Sequence, residues 1–97
     1  MQETEIQNVF VEKGRELDAL TDALHRKIGA GRVTPIDLKE TLKVASRAVA
    51  ECVAEIENRD ESSPISSRTL AIITEVLRHA STLIDEVILA LAIANPR

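Results

Sequence analysis

The sequence predicts an all-α protein: three long antiparallel helices, up-down-up, completed into a larger helical bundle by dimerisation. Three observations carry this. Apolar residues recur at alternating three- and four-residue steps through three segments, the spacing of one helix face. Aromatic residues make up 1% of the chain, a single Phe10, whereas strands lean on aromatic and β-branched side chains. All three Pro and two of the three Gly stand outside the periodic segments, where chain punctuation belongs. The 97 residues are expected to form one domain over residues 1–97, with helices at about 3–28, 35–58 and 66–94.

In the first segment the seam is Ile6, Phe10, Leu17, Leu20 and Leu24. Lys13 occupies the missing seam position and Ile28 flanks the end. Glu3 and Glu5 open the helix and Arg26 and Lys27 close it, as the helix dipole prefers. Asp22 and Arg26 are spaced to pair across one turn. Gly14 either marks a close approach of a neighbouring helix or delays the start of regular structure. Gly29 is the expected residue just past the helix end.

The second segment has the clearest signals. Thr34 is the expected N-cap, Pro35 takes the first helical position, and Asp37 completes an approximate capping box. The seam Leu38, Leu42, Ala45, Val49, Cys52, Ile56 alternates four and three residues, a heptad pattern. Val44, Ala48 and Val53 widen it. The charged stretch Asn58–Ser63 before Pro64 reads as a loop. The third helix is expected to start with Ser63, Ser66 or Ser67 as its cap. Its seam is Ile73, Leu77, Ala80, Ile84, Val87, Leu91, with Ile72, Val76, Leu83 and Ala90 beside it. Asn95-Pro96 should stop it. From these seams Leu24, Leu42, Val49, Ile56, Ile73, Leu77 and Ile84 are expected in the core.

The end of this helix is VILALAIA, Val87 to Ala94. Upstream, Thr74, Arg78, Ser81, Thr82 and Asp85 form a polar face. Carried forward, that face arrives at Leu89, Ala92 and Ile93. A helix apolar all round is normally covered, so a partner surface is expected on Leu83, Val87, Ile88, Leu89, Ala92 and Ile93. A homodimer is the simplest such partner, two-fold dimers being the commonest homo-oligomers. The run is far short of the ~20 residues of a membrane span. The start, with Gln2, Glu3 and Glu5, has the wrong charge for a signal peptide. The lone Cys52 suits a reducing compartment. A cytoplasmic protein that does not enter a membrane is the expectation.

No residue set points to catalysis, to a cofactor or to a metal. Cys52 sits in a seam, where a free thiol packs as a small hydrophobe. His25 and His79 stand on different helices without a ligand partner one turn away, and a zinc site needs three or four ligands. Di-iron bundles need Glu-x-x-His units, which are missing. The Gly29–Arg32 turn and the serines at 62, 63, 66 and 67 read as loop and cap residues. Lys39, Lys43 and Arg47 form a basic stripe, but the row continues as Glu51 and Glu55. That alternation suits ion pairs such as Arg47 with Glu51. The net charge of −4 and pI near 5.1 argue against nucleic acid. The function expected from these features is a small cytoplasmic interaction module (regulator, adaptor, chaperone or inhibitor type) that binds a partner protein and is not an enzyme. The alternative is a DNA-binding transcriptional regulator using the basic start of the second helix.

Overall fold

Three helices pack along one another in the computed structural model, which describes residues 2–94. They are α1 (Glu3–Gly29), α2 (Pro35–Glu57) and α3 (Ser67–Ala94), and no strand occurs among the described residues. The Asn95-Pro96 stop lies outside the described residues. The body is a rod of 52 × 21 × 19 Å. α3 packs against both other helices, and α1 and α2 touch each other least.

Local chemistry sets the helix ends. At the end of α1, Arg32 N–H donates to the Lys27 carbonyl and Gly31 N–H to the Ile28 carbonyl. That is the Schellman arrangement, with Gly31 as its left-handed residue at φ 68°. The expectation for Gly29 is therefore corrected by two residues: Gly29 is still helical, and only Gly31 needs the conformation that a side chain would strain. Thr34 caps α2 by accepting from Asp37 N–H while Asp37 accepts from Thr34 N–H, a complete capping box. Ser66 caps α3, its hydroxyl accepting from Thr69 N–H at 3.2 Å. In the loop between α2 and α3, the Asp60 carboxylate accepts from the backbone N–H groups of Ser62 and Ser63.

Phe10, Gly14, Leu17 and Leu24 are the buried line of α1, close to the expected seam, with Ile6, Leu20 and Ile28 half-buried against it. The helix runs unbroken through Gly14, where His79 and Val76 of α3 come closest. Regular structure therefore starts well before Gly14, and the neighbouring helix comes no closer there than ordinary contact.

The other two helices are turned relative to expectation. α2 buries Leu38, Ala45, Ala48 and Cys52, and α3 buries Thr69, Ile73, Val76, Ala80, Leu83, Val87 and Ala90. Of the residues expected in the core, Leu24 and Ile73 are buried and Val49 and Ile84 are half-buried. Leu42, Ile56 and Leu77 are exposed. The cause is α1. Thr41, Val44, Ala48 and Glu51 of α2 line clefts shared with α1, and so do Ile72, Val76 and His79 of α3. Each helix centres its buried arc between its two neighbours. Both arcs therefore shift toward α1, and the flank away from α1 is left uncovered.

Candidate interaction surface

That uncovered flank is apolar. α2 contributes Leu42, Val53 and Ile56, and α3 contributes Leu70, Leu77, Ile88 and Leu91, each between 37% and 57% exposed. Val49 and Ile84 lie half-buried between them and the core. On α2 the stripe keeps a seven-residue step, 42, 49, 56; on α3 it runs 70, 77, 84, 91. Both stripes lie about a third of a helical turn from the residues facing α1. They therefore share one face of the rod. Single exposed apolar residues are ordinary on a monomer; here seven stand on one face.

A second apolar region lies at one end of the rod. An open cleft of about 310 Å³ is lined by Ile28, Gly31, Val33, Pro35, Leu38, Leu91 and Ile93. Ile36 stands exposed beside it at 70%, and Ile88, Leu89 and Ile93 are exposed on the last turns of α3. Of the six residues expected to meet a partner, Leu83 and Val87 are at most 1% exposed and belong to the core of the chain itself. Ile88 joins the lateral band. Leu89, Ala92 and Ile93 are exposed, and Ile93 also borders the cleft that it shares with Ile28 of α1 and Leu38 of α2.

Charged groups frame the bundle rather than converge in it. Lys13 of α1 pairs with Glu51 of α2, and Lys27 meets Asp37 at 2.9 Å. Glu51 therefore pairs across the helices, not with Arg47 along the row. Asp22 and Arg26, spaced to pair across one turn, do not form an ion pair with each other. His25 stands 3.2 Å from Glu86, and His79 stands 3.9 Å from Asp18, each joining α1 to α3. Arg59 in the loop reaches Glu3 of α1 at 2.8 Å and also holds Glu55. Hydrogen bonding from Thr69, then from Arg59, pulls the Glu3 carboxyl below the ordinary range. The Lys27 ammonium and the Thr34 cap do the same for Asp37. Lys39, Lys43 and Arg47 are exposed, and none of them makes an ion pair among the described residues.

Cys52 is fully buried, and burial pushes its thiol above the ordinary range. A thiol in that state is a poor nucleophile. Among the described residues, no group of three or more His, Cys, Asp and Glu is placed to hold a metal ion. No helix there is long and apolar enough to cross a membrane. Comparison with protein-family models, with curated proteins and with solved structures finds no match to this chain.

Sequence reasoning missed the lateral band because it assigned Leu42, Ile56 and Leu77 to the core. One signal was available. The apolar arcs of the second and third segments, seam plus second stripe, are wider than two neighbours can cover in a three-helix bundle.

Proposed function

We propose that this chain is a small helical interaction module that works by binding other protein surfaces, in the manner of a regulator, adaptor, chaperone or inhibitor. The single observation that carries the reading is the exposed apolar surface, a lateral band on α2 and α3 together with the end of α3. Such surface is costly in water, where each buried apolar Å² is worth roughly 25 cal/mol, and contact with another protein is its ordinary use. The helices run up, down and up in this reading. Support comes from the contact pairs: Gln7 with Thr69 and His25 with Glu86 rise together, while Lys13 with Glu51 and Lys27 with Asp37 run in opposite senses. Self-association belongs to the same proposal, and the lone buried thiol fits a cytoplasmic setting.

Leu89, Ala92 and Ile93, with the cleft beside Ile93, are the surface for a different protein. The cleft accepts an apolar side chain, and its own lining carries no charged residue. Affinity capture from native extract tests it, with wild type and an L89E/I93E variant run in parallel. The expected result is a partner retained by the wild type and lost from a variant that keeps its helical circular dichroism. Identical proteins on both would overturn the assignment.

A second reading has one observation in its favour. Lys39, Lys43 and Arg47 project from one helix without ion-pair partners, as a DNA-contacting helix would. The net charge of −4 opposes it. Duplex binding that weakens steeply between about 50 and 200 mM salt would revive it.

A further inference from the structure

We infer that the lateral band on α2 and α3 is covered by a second copy of this chain, packed face to face about a two-fold axis, so that α2 and α3 of two protomers form a four-helix core with each α1 outside. The inference rests on the interaction-module reading and names the occupant of one of its two surfaces.

Three observations select a second copy. The first is area. The chain exposes 6630 Å², whereas a compact monomer of its 10.6 kDa exposes about 5,500 Å². The surplus, roughly 1,100 Å², is of the order that each partner buries in a stable dimer, about 800 Å². The second is periodicity. A seven-residue step keeps a stripe in phase with another helix that supercoils around it. Here both stripes keep that step over most of their helices, and Leu42, Ile56, Leu70, Leu77 and Leu91 stand exposed along them.

The third is self-complementarity, which a two-fold contact demands and a contact with a different protein does not. The contacts of both helices with α1 set Val49 level with Leu77, so an axis perpendicular to the helices at that level sets Leu77 toward Leu77 of the partner subunit and Leu70 toward Ile84 of the partner subunit. On α2 it sets Leu42 toward Ile56 of the partner subunit, and Val49 falls near the axis. The rim agrees in charge. Lys39 and Glu57 lie on one line along α2, since their separation is a whole number of helical turns. They border the stripe at its two ends, with uncharged Ser46 and Ala50 between. The two-fold places Lys39 near Glu57 of the partner subunit, opposite charge to opposite charge, twice.

Sedimentation equilibrium of the full chain at about 10 µM tests the proposal. Wild type is expected near twice the chain mass. L77E should weaken association by at least about 100-fold, because it buries a charge without a counter-charge. K39E should weaken it by about 2- to 5-fold, and adding E57K should restore it, as exposed pairs of this kind behave. V49C gives a readout that survives any loss of fold in L77E. Beside the axis, the two introduced thiols should join as an interchain disulfide, losing their protons and two electrons to added diamide. L89C, on the other side of α3, and wild type, with Cys52 buried, should not. Wild-type monomer at 100-fold higher concentration would overturn the proposal, and so would cross-linking through L89C in place of V49C. Either result would leave the interaction-module reading to stand or fall on the capture experiment.

Discussion

Thr69 donates its hydroxyl to the carboxylate of Glu3, joining the first turn of α3 to the first turn of α1. Thr69 is fully buried, and its oxygen also accepts from Gln7 and from Ser66. Arg59 holds the other Glu3 oxygen at 2.8 Å. Glu3 and Thr69 together therefore tie α1, the α2–α3 loop and the α3 cap. Replacing Thr69 with valine keeps the volume and removes the bonds of its hydroxyl to Glu3, Gln7 and Ser66, while Arg59 stays on Glu3. T69V should lower stability by about 1–3 kcal/mol, because polar partners lose their bonds at a closed end. Urea unfolding measures it, and a change under about 0.3 kcal/mol would show that the cluster is ornamental to folding.

Acid should loosen the same tie. Glu3 and Asp37 hold their protons less tightly when folded than when unfolded, Glu3 through Thr69 and Arg59, Asp37 through Lys27 and Thr34. Asp60 does so through Ser62. The folded state then carries fewer protons in acid. Stability from these groups is complete above the unfolded values and is lost as pH falls below about 4. The thermal midpoint should be level near neutrality and fall in that window. The E3Q/D37N variant should show a shallower fall than wild type; an unchanged slope would assign the acid sensitivity to other carboxyls.

Gly14 offers a stabilising change. A Cβ at this position would meet His79 Cδ2 at 3.6 Å and Val76 Cγ2 at 3.9 Å, ordinary contact distances. Alanine should therefore fit, and in a helix interior it is favoured over glycine by about 1 kcal/mol. G14A should raise the urea midpoint. A lowered midpoint would mean that α1 and α3 pack more closely than these distances show.

Leu83 and Leu77 are less than two helical turns apart on α3 but differ in burial, 0% against 37% exposed. L83A should cost about 2–5 kcal/mol, the usual range for a leucine deleted from a core. In a chain held dilute enough to be monomeric, L77A should cost much less. Equal costs would return Leu77 to the core and undo the register described here.

Cys52 should react slowly. It is fully exposed only on unfolding, and burial disfavours its thiolate. Labelling by a thiol reagent should track global unfolding in urea. Native labelling as fast as that of the unfolded chain would contradict the packing of α2.

Much of the architecture follows from the sequence alone. Three periodic seams and the missing aromatics determined the class and the number of helices. Thr34-Pro35-Asp37 determined the start of α2. These are local matters: a cap, a period or a dipole acts within one or two turns and needs no distant partner. Tertiary structure decided which side of each apolar arc faces inward. Leu38–Ala45–Cys52 and Leu42–Val49–Ile56 are both valid seven-residue lines on α2, and periodicity ranks them equally. α1 breaks the tie by packing against Val44 and Ala48 on one flank. The small residues Ala45, Ala48 and Cys52 then let the helices approach, while Leu42, Ile56 and Leu77 turn outward. Burial depends on where all the neighbours sit, and one helix's own sequence records only that it needs them.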